Sequence, residues 1–209
     1  MINVKDNDKI LFLGDSITDV AFNKSMANSI GGEKTYPLGV AENLEKSHKG
    51  LEFFYKGIAS DRSYLIYDRL TSDCIKLNPD IIVLLIGVND AWEHYVPEQY
   101  PPLLRPFEPH MKEIFRRLKA EIPNAKLIMM TPFLIDTMPE KIPFHKVLEG
   151  YIEKELLWGK EFGADMIELQ KAFDESAKTI PLDDMAHDGV HPTNLGHSII
   201  ANEILKILK

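Results

Sequence analysis

Two hydrophobic patterns alternate along the chain. Lys9-Ile-Leu-Phe-Leu13 is a short apolar run closed by Gly14. Thr35 to Lys46 has helical spacing, with Pro37 in the first turn, where a missing N–H costs nothing. Leu51 to Tyr55 is a second short run, ending at Gly57. From Tyr64 to Leu77, apolar residues at Leu65, Ile66, Leu70, Cys74 and Leu77 fall on one helix face. Ile81 to Ile86 is a third run, closed by Gly87. Met111, Ile114, Phe115 and Leu118 repeat at i, i+3, i+4 and i+7, and Pro123 ends that helix. Lys126 to Met130 is the fourth run, before Thr131-Pro132. A stripe through Val147, Leu148, Tyr151, Ile152 and Leu156 follows, then a weaker strand from Ala164 to Leu169. Ile199, Ile200, Ile204 and Leu208 mark a final helix.

Strands that are apolar throughout are buried on both faces. Strands alternating with helices give right-handed crossovers and a parallel sheet. The pattern therefore predicts an α/β fold: a three-layer αβα sandwich around a doubly wound, parallel, five-stranded sheet in one domain over 1–209. The loops at 19–34, 91–107 and 132–143 are the segments expected to shape a pocket, since long loops in compact domains are often functional.

Composition narrows the class. Thirty-two acidic residues against twenty-four basic ones leave a formal charge of −8, so nucleic acid and anionic membrane surfaces are poor partners. The single cysteine, Cys74, builds neither a disulfide framework nor a cysteine zinc site. Met1 to Asp6 lacks the charged-then-apolar opening of a signal peptide, and no run approaches the roughly 20 residues of a membrane span. A cytoplasmic protein is expected. A homo-oligomer is allowed but not indicated.

In open parallel sheets, ligands bind beyond the carboxyl ends of the strands, where the strand order reverses. The residues just past the first three strands are Gly14-Asp15-Ser16-Ile17-Thr18, Lys56-Gly57-Ile58-Ala59-Ser60 and Gly87-Val88-Asn89-Asp90. With strand order 2-1-3-4-5, Ser16 stands between Gly57 and Asn89. A hydroxyl beside a backbone N–H and an amide NH₂ is the layout acyl transfer needs. The serine still requires a base. Asp188-Gly189-Val190-His191 supplies one: His191 to take the Ser16 proton, Asp188 to orient the imidazole. Gly14-Asp-Ser-Ile-Thr18 lacks the second glycine of a Gly-x-Ser-x-Gly elbow, which argues against an ordinary α/β-hydrolase.

These segments together resemble the SGNH (GDSL) hydrolase family of esterases and lipases. Leu13-Gly-Asp-Ser-Ile-Thr-Asp19 is similar to its nucleophile block, with isoleucine for the leucine of the family name. Gly57 stands at its glycine block, Gly87-Val-Asn-Asp90 at Gly-x-Asn-Asp, and Asp188-Gly-Val-His191 at Asp-x-x-His. Pro192-Thr193 and Gly196-His197 extend the last block. The four blocks fall in order from residue 13 to 197. The resemblance implies a flavodoxin-like fold and cofactor-free, metal-free ester hydrolysis through an acyl-serine. It implies an oxyanion hole formed by the Ser16 N–H, the Gly57 N–H and the Asn89 side chain. One departure is Tyr55-Lys-Gly-Ile-Ala-Ser-Asp-Arg62, where members often carry Asn-x-Gly and a small-residue turn.

Other residues carry blander readings. Asp15 and Asp90 are expected to brace their turns. His48, His110 and His145 read as solvated surface, His197 as a packing or capping residue, and Met129-Met130 as core filler. His187 precedes the acid but lacks the spacing of His191. Trp92 and Tyr95, just past Asn89, are candidates to line an acyl or alcohol pocket, with a core lid as the other reading. The leading expectation is a serine esterase acting on short acyl esters, particularly acetyl groups on sugars, because no long apolar lid is visible. A lysophospholipase or thioesterase is the alternative within the class. From other classes come a metal-dependent phosphoesterase built on Asp15, Asp90, Asp188 and His191, and a flavodoxin-like binding module without catalysis.

Overall fold

The computed structural model describes residues 1–96 and 106–209. Five parallel strands form one sheet: β1 (Lys9–Gly14), β2 (Glu52–Gly57), β3 (Ile81–Leu85), β4 (Lys126–Met130) and β5 (Asp165–Ile167), in the order β2-β1-β3-β4-β5. This is the expected sheet and order. Burial on both faces holds for β3, whose Ile-Ile-Val-Leu-Leu is buried at every position. It fails for β2, which is half-exposed because it closes one edge of the sheet.

Alternate side chains of the buried strands enter two separate cores. Ile10, Phe12, Ile81, Val83, Leu85, Ile128 and Met130 pack on one face with Tyr36, Val40, Phe173, Ile200 and Ile204. Those partners come from α2 (Tyr36–Leu44), α7 (Leu169–Ser176) and α9 (Asn194–Ile207). Leu11, Leu13, Ile82, Leu84 and Met129 pack on the other with Ile66, Leu70, Met111, Ile114, Phe115 and Trp158. These belong to α3 (Ser63–Asp73), α5 (Phe107–Glu121) and α6 (His145–Phe162). Cys74 is buried in this second core.

Four segments differ from expectation. The stretch read as loop from Asp19 holds α1 (Val20–Ser25), capped by the Asp19 carboxylate, which accepts from the Phe22 N–H at 2.9 Å. The loop expected from Ala91 is helical at its start, because α4 (Val88–Tyr95) begins directly after Gly87; the rest of that expectation, over 97–105, lies outside the described residues. The helix expected over Tyr64–Leu77 breaks at Cys74 into a 3₁₀ turn. Short helices such as α1 and α4 lack the repeated stripe that longer ones write into the sequence. A 3₁₀ turn over Pro139–Phe144 also interrupts the loop at 132–143, and α8 (Leu182–Met185) precedes the last loop. Among the described residues, no helix is long and apolar enough to cross a membrane.

Candidate active site

The register of β1 sets the site. Gly14 is level with Gly57 on one side and Leu85 on the other, so the three following turns leave the sheet at the same height. After Gly14, the Asp15 carbonyl accepts from the Thr18 and Asp19 N–H groups and folds the chain into a tight turn. Ser16 sits at its crest, 6% exposed. From the far end of the chain, His191 brings Nε2 to 3.0 Å from Ser16 Oγ, and its Nδ1 lies 2.7 Å from Asp188 Oδ2. The carboxylate on Nδ1 assigns the tautomer: Nδ1–H donates to Asp188, and the Nε2 lone pair accepts the Ser16 hydroxyl proton.

Asp188 is held by more than the imidazole. Its Oδ1 accepts from the Val190 and His191 backbone N–H groups at 2.9 and 2.8 Å. Burial alone would raise this carboxyl, but the His191 hydrogen bond and charge and the two backbone donors outweigh burial and hold it at about 2. It is a carboxylate at any ordinary pH. The Ile135 N–H donates to the Gly189 carbonyl at 2.9 Å, anchoring this loop to the segment after β4. The Phe22 ring of α1 packs against the His191 imidazole with centroids 5.3 Å apart.

On the other side, Gly57 approaches the nucleophile turn so closely that a Cβ would stand 2.3 Å from the Asp19 nitrogen and the Thr18 carbonyl carbon. Any larger residue would push this strand end off the turn, which explains glycine here. The Asp19 Oδ2 accepts from the Ala59 N–H at 3.1 Å, stitching the two turns together. Asn89 enters at the first turn of α4, after Gly87, whose φ of 116° favours glycine. Asn89 Nδ2 donates to the Asp61 carbonyl at 2.9 Å. An amide NH₂ has two donors, so that bond fixes the side chain and leaves one N–H to give. Ser16, Gly57 and Asn89 are thus gathered at one sheet edge.

Several supports have no counterpart in the sequence reading. Arg69, on α3, donates to the Gly14 and Lys56 carbonyls at 3.1 and 2.9 Å and to Asp61 and Asp73 at 2.8 and 3.0 Å. One guanidinium therefore clamps the ends of β1 and β2 and the loop that holds Asn89. Nothing in its helical position marks it out from an exposed arginine. Asn23, fully buried, donates from Nδ2 to the Ser16 and Asp19 carbonyls at 2.6 and 2.8 Å. Its Oδ1 lies 3.1 Å from His197 Nε2, while His197 Nδ1 accepts from the Tyr36 N–H at 3.3 Å. His197 therefore carries its proton on Nε2, and burial keeps it neutral, with its value pushed down to about 3. Lys141, in the 3₁₀ turn, donates to the Asp188 carbonyl at 2.6 Å.

The two bracing aspartates behave as their spacing implies. Asp15 Oδ1 accepts from the Ile17 N–H at 3.0 Å, and Asp90 accepts from the Ser63 N–H and, at 2.6 Å, from its hydroxyl. Burial raises both carboxyls: Asp15 to about 7 against its Ile17 bond, Asp90 to about 6 against its Ser63 bonds. Glu155 of α6 is a third buried carboxyl, raised well above its usual range by burial, with Asp90 and Asp15 adding to the effect. Its signal was a charged residue on the stripe between Tyr151, Ile152 and Trp158. The proposed metal set of Asp15, Asp90, Asp188 and His191 is not gathered. Asp90 is committed to Ser63 and Asp188 to His191, and among the described residues no three such side chains converge in a geometry that would hold an ion.

A cavity of about 160 Å³ opens beside the imidazole, lined by Val88, Asn89, Trp92, Lys141, Asp188, Val190 and His191. Trp92 reaches it. Tyr95 does not: it packs against Trp92 and Phe144 with centroids 5.6 and 5.5 Å apart, a lid on the core rather than a pocket wall. The two rings stand three residues apart on α4 and touch each other, but of the two only Trp92 lines the cavity. His187 pairs with Asp183 at 3.1 Å, on the solvent side of the loop. His48, His110 and His145 bond Ser47 Oγ, the Pro106 carbonyl and Asp136, and none of the three is in the lining of this cavity.

The geometry has counterparts in known proteins. Residues 12–199 match the GDSL-like Lipase/Acylhydrolase family. An acetylxylan esterase from Geobacillus stearothermophilus is 27% identical over 98% of this chain and 95% of its own. Its crystal structure superposes with a TM-score of 0.81, and forms of it described as catalytic mutants replace a serine or a histidine by alanine. An isoamyl acetate-hydrolyzing esterase from Saccharomyces cerevisiae is 25% identical over 98% of this chain and 87% of its own. A GDSL-like lipase from Parabacteroides merdae superposes with a TM-score of 0.84 at 27% identity, covering 98% of this chain and 97% of that one. With the family matched over almost the whole chain, the protein belongs to the GDSL-like lipase/acylhydrolases and is a carboxylic ester hydrolase.

Proposed function

We propose that this protein hydrolyses short-acyl esters, acetyl esters of carbohydrates foremost, through an acyl-serine formed on Ser16, and that residues 1–209 act as one catalytic domain. One observation carries the mechanism: the unbroken hydrogen-bonded chain from Ser16 Oγ through the His191 imidazole to Asp188. His191 Nε2 takes the hydroxyl proton as Ser16 Oγ bonds to the acyl carbon. The carbonyl oxygen then gains negative charge and receives hydrogen bonds from the Ser16 N–H, the Gly57 N–H and the second Asn89 amide N–H. Fixed donors aimed at developing charge are usually the largest single contribution to such catalysis. Asp188, held as a carboxylate, stabilises the imidazolium. His191 next gives its proton to the departing alkoxide, and the C–O bond breaks. A water molecule, deprotonated by the same nitrogen, attacks the acyl carbon and releases the acid and the Ser16 hydroxyl.

Acetyl selectivity is supported by size and by kinship. A cavity of about 160 Å³ walled by Val88, Trp92 and Val190 accepts a methyl-bearing acyl group and leaves little room for a fatty chain. The two curated relatives are named for acetyl esters, one on a polysaccharide and one on a small alcohol.

The test is a series of p-nitrophenyl esters from acetate to palmitate, with acetylated xylo-oligomers alongside, on wild type and Ser16→Ala. Rates should be highest for acetate and fall as the acyl chain lengthens, and Ser16→Ala should lose at least about 10³-fold in kcat. A serine-directed phosphonate should label wild type once, at Ser16. Retained activity in Ser16→Ala would remove the acyl-serine, and a preference for long-chain esters would remove the acetyl assignment.

A further inference from the structure

Of the polar groups lining the cavity beside His191, the acyl-serine chemistry employs Asn89, Asp188 and His191 and leaves Lys141 unused. Its ammonium has three donors. One goes to the Asp188 backbone carbonyl at 2.6 Å. The Trp92 ring lies 6.0 Å away, near the limit at which a cation is drawn to an aromatic face. Among the described residues, no carboxylate stands within ion-pair distance of this nitrogen. The neighbouring ion pairs, Asp136 with His145 and Asp188 with His191, are closed without it. A partly buried ammonium with one hydrogen-bonded acceptor and donors left over gains from any oxygen brought into the cavity.

The side of the site matters. The departing alcohol oxygen must come within hydrogen-bond reach of His191 Nε2, because that nitrogen returns its proton. Lys141 is tied to the loop that carries His191 and lines the same cavity, so it borders an alcohol whose oxygen stands at Nε2. We propose that Lys141 is a specificity-determining residue that hydrogen-bonds a hydroxyl or ring oxygen on the alcohol portion, so that the enzyme prefers acetyl esters of oxygen-rich alcohols over acetyl esters of hydrocarbon alcohols of equal size. This rests on the acyl-serine reading and deepens it: within the one cavity Lys141 takes the oxygens of the alcohol, while Val88, Trp92 and Val190 limit the acyl group. A neutral oxygen suffices as acceptor, since the ammonium brings the charge, and a charge-assisted hydrogen bond is about twice as strong as a neutral one.

A matched pair of esters tests this: a mono-acetylated methyl xyloside and cyclohexyl acetate, six-membered rings that differ in their oxygens. A third ester, 4-acetoxycyclohexanecarboxylate, carries an anion on the same hydrocarbon ring. Wild type, Lys141→Met, Lys141→Arg and Ser16→Ala are compared by kcat and KM on each, with melting temperatures to check folding. Lys141→Met should lower the xyloside-to-cyclohexyl ratio of kcat/KM by about tenfold, carried by KM of the xyloside ester, as expected for one lost hydrogen bond from a charged donor. Lys141→Arg, which keeps the charge and the donors, should recover part of that ratio. An equal fall in kcat on both neutral esters would make Lys141 only a tether of the Asp188 loop and overturn the proposal. So would an unchanged ratio, or a largest Lys141→Met effect on the carboxylate ester, which would reassign the ammonium to anions. Ser16→Ala activity on cyclohexyl acetate equal to wild type would instead overturn the acyl-serine reading, a result no Lys141 variant can imitate.

Discussion

His191 and His197 lie six residues apart at the same end of the sheet, and their surroundings set them opposite tasks. The His191 ring is 17% exposed, faces a carboxylate on one nitrogen and the serine hydroxyl on the other, and borders a cavity. Gaining a proton there is supported by Asp188. The His197 ring is fully buried, with a backbone N–H on one nitrogen and the Asn23 amide oxygen on the other. Among the described residues no carboxylate bonds it, and burial holds it neutral. In the proposed mechanism the first imidazole cycles its charge, while the second keeps a fixed tautomer. The second serves the first at a distance: His197 orients Asn23, and Asn23 holds the carbonyl of Ser16. The same side chain is an acid–base group or a structural pin according to whether its charged form has a partner.

The largest test exchanges the two. His191→Ala should lose at least about 10³-fold in kcat with little change in melting temperature, because a partly exposed ring is removed from a loop. His197→Gln should do the reverse, keeping kcat within about tenfold while lowering the unfolding free energy by about 1–3 kcal/mol for the buried bonds it disturbs. Steady-state kinetics and urea unfolding on both variants check this, and a catalytic collapse in His197→Gln would erase the distinction drawn between the rings.

Asn23→Ala probes the link between them. It removes the donor at the Ser16 carbonyl and leaves His197 without its acceptor. We expect roughly tenfold lower kcat from a slightly misplaced nucleophile, with KM nearly unchanged. A loss confined to stability would mean the nucleophile turn holds its shape unaided.

The smallest effect is a slope. An unfolded histidine takes its proton near 6.5, while folded His197 resists it down to about 3. Between those values the unfolded state binds more protons, so this residue makes stability rise with pH by up to about 1.4 kcal/mol per unit, and its cost vanishes above 6.5. Asp15 and Asp90 act with the opposite sign. Their folded values, about 7 and about 6, exceed the unfolded ones, so stability falls as pH rises from near 4 through that range. Urea unfolding from pH 4 to 6 should give His197→Gln a slope more negative than wild type. Parallel slopes would show that His197 is charged in the folded protein.

Much of the fold was legible because its signals are local. The five strand runs and the longer helices carry their own periodicity, and a parallel sheet follows from their alternation. The helices α1 and α4 were missed for the converse reason, since each is at most eight residues long and begins at a cap or a glycine rather than with a stripe. At the site, Ser16, Asn89, Asp188 and His191 were visible because their chemistry is distinctive and each directly follows a strand or precedes the last helix. Arg69, Asn23 and Lys141 were invisible. A clamping arginine, a buried asparagine and a cavity-lining lysine have the same local sequence as their solvated equivalents. Tyr95, expected to line the pocket with Trp92, packs against that ring and Phe144, and of the two only Trp92 lines the cavity.

What the sequence by itself determined is the set of candidate reacting groups and the sheet edge to which they belong, because strand periodicity and side-chain chemistry are properties of short segments. Only the tertiary structure decided which imidazole stands between a carboxylate and the serine and which is buried neutral, which carboxyl is held near 2 and which is pushed to about 7, and that a lysine from a 3₁₀ turn reaches the cavity. Burial, opposite charge and hydrogen-bond partners are contributed by residues far away in the chain, and no local pattern encodes them.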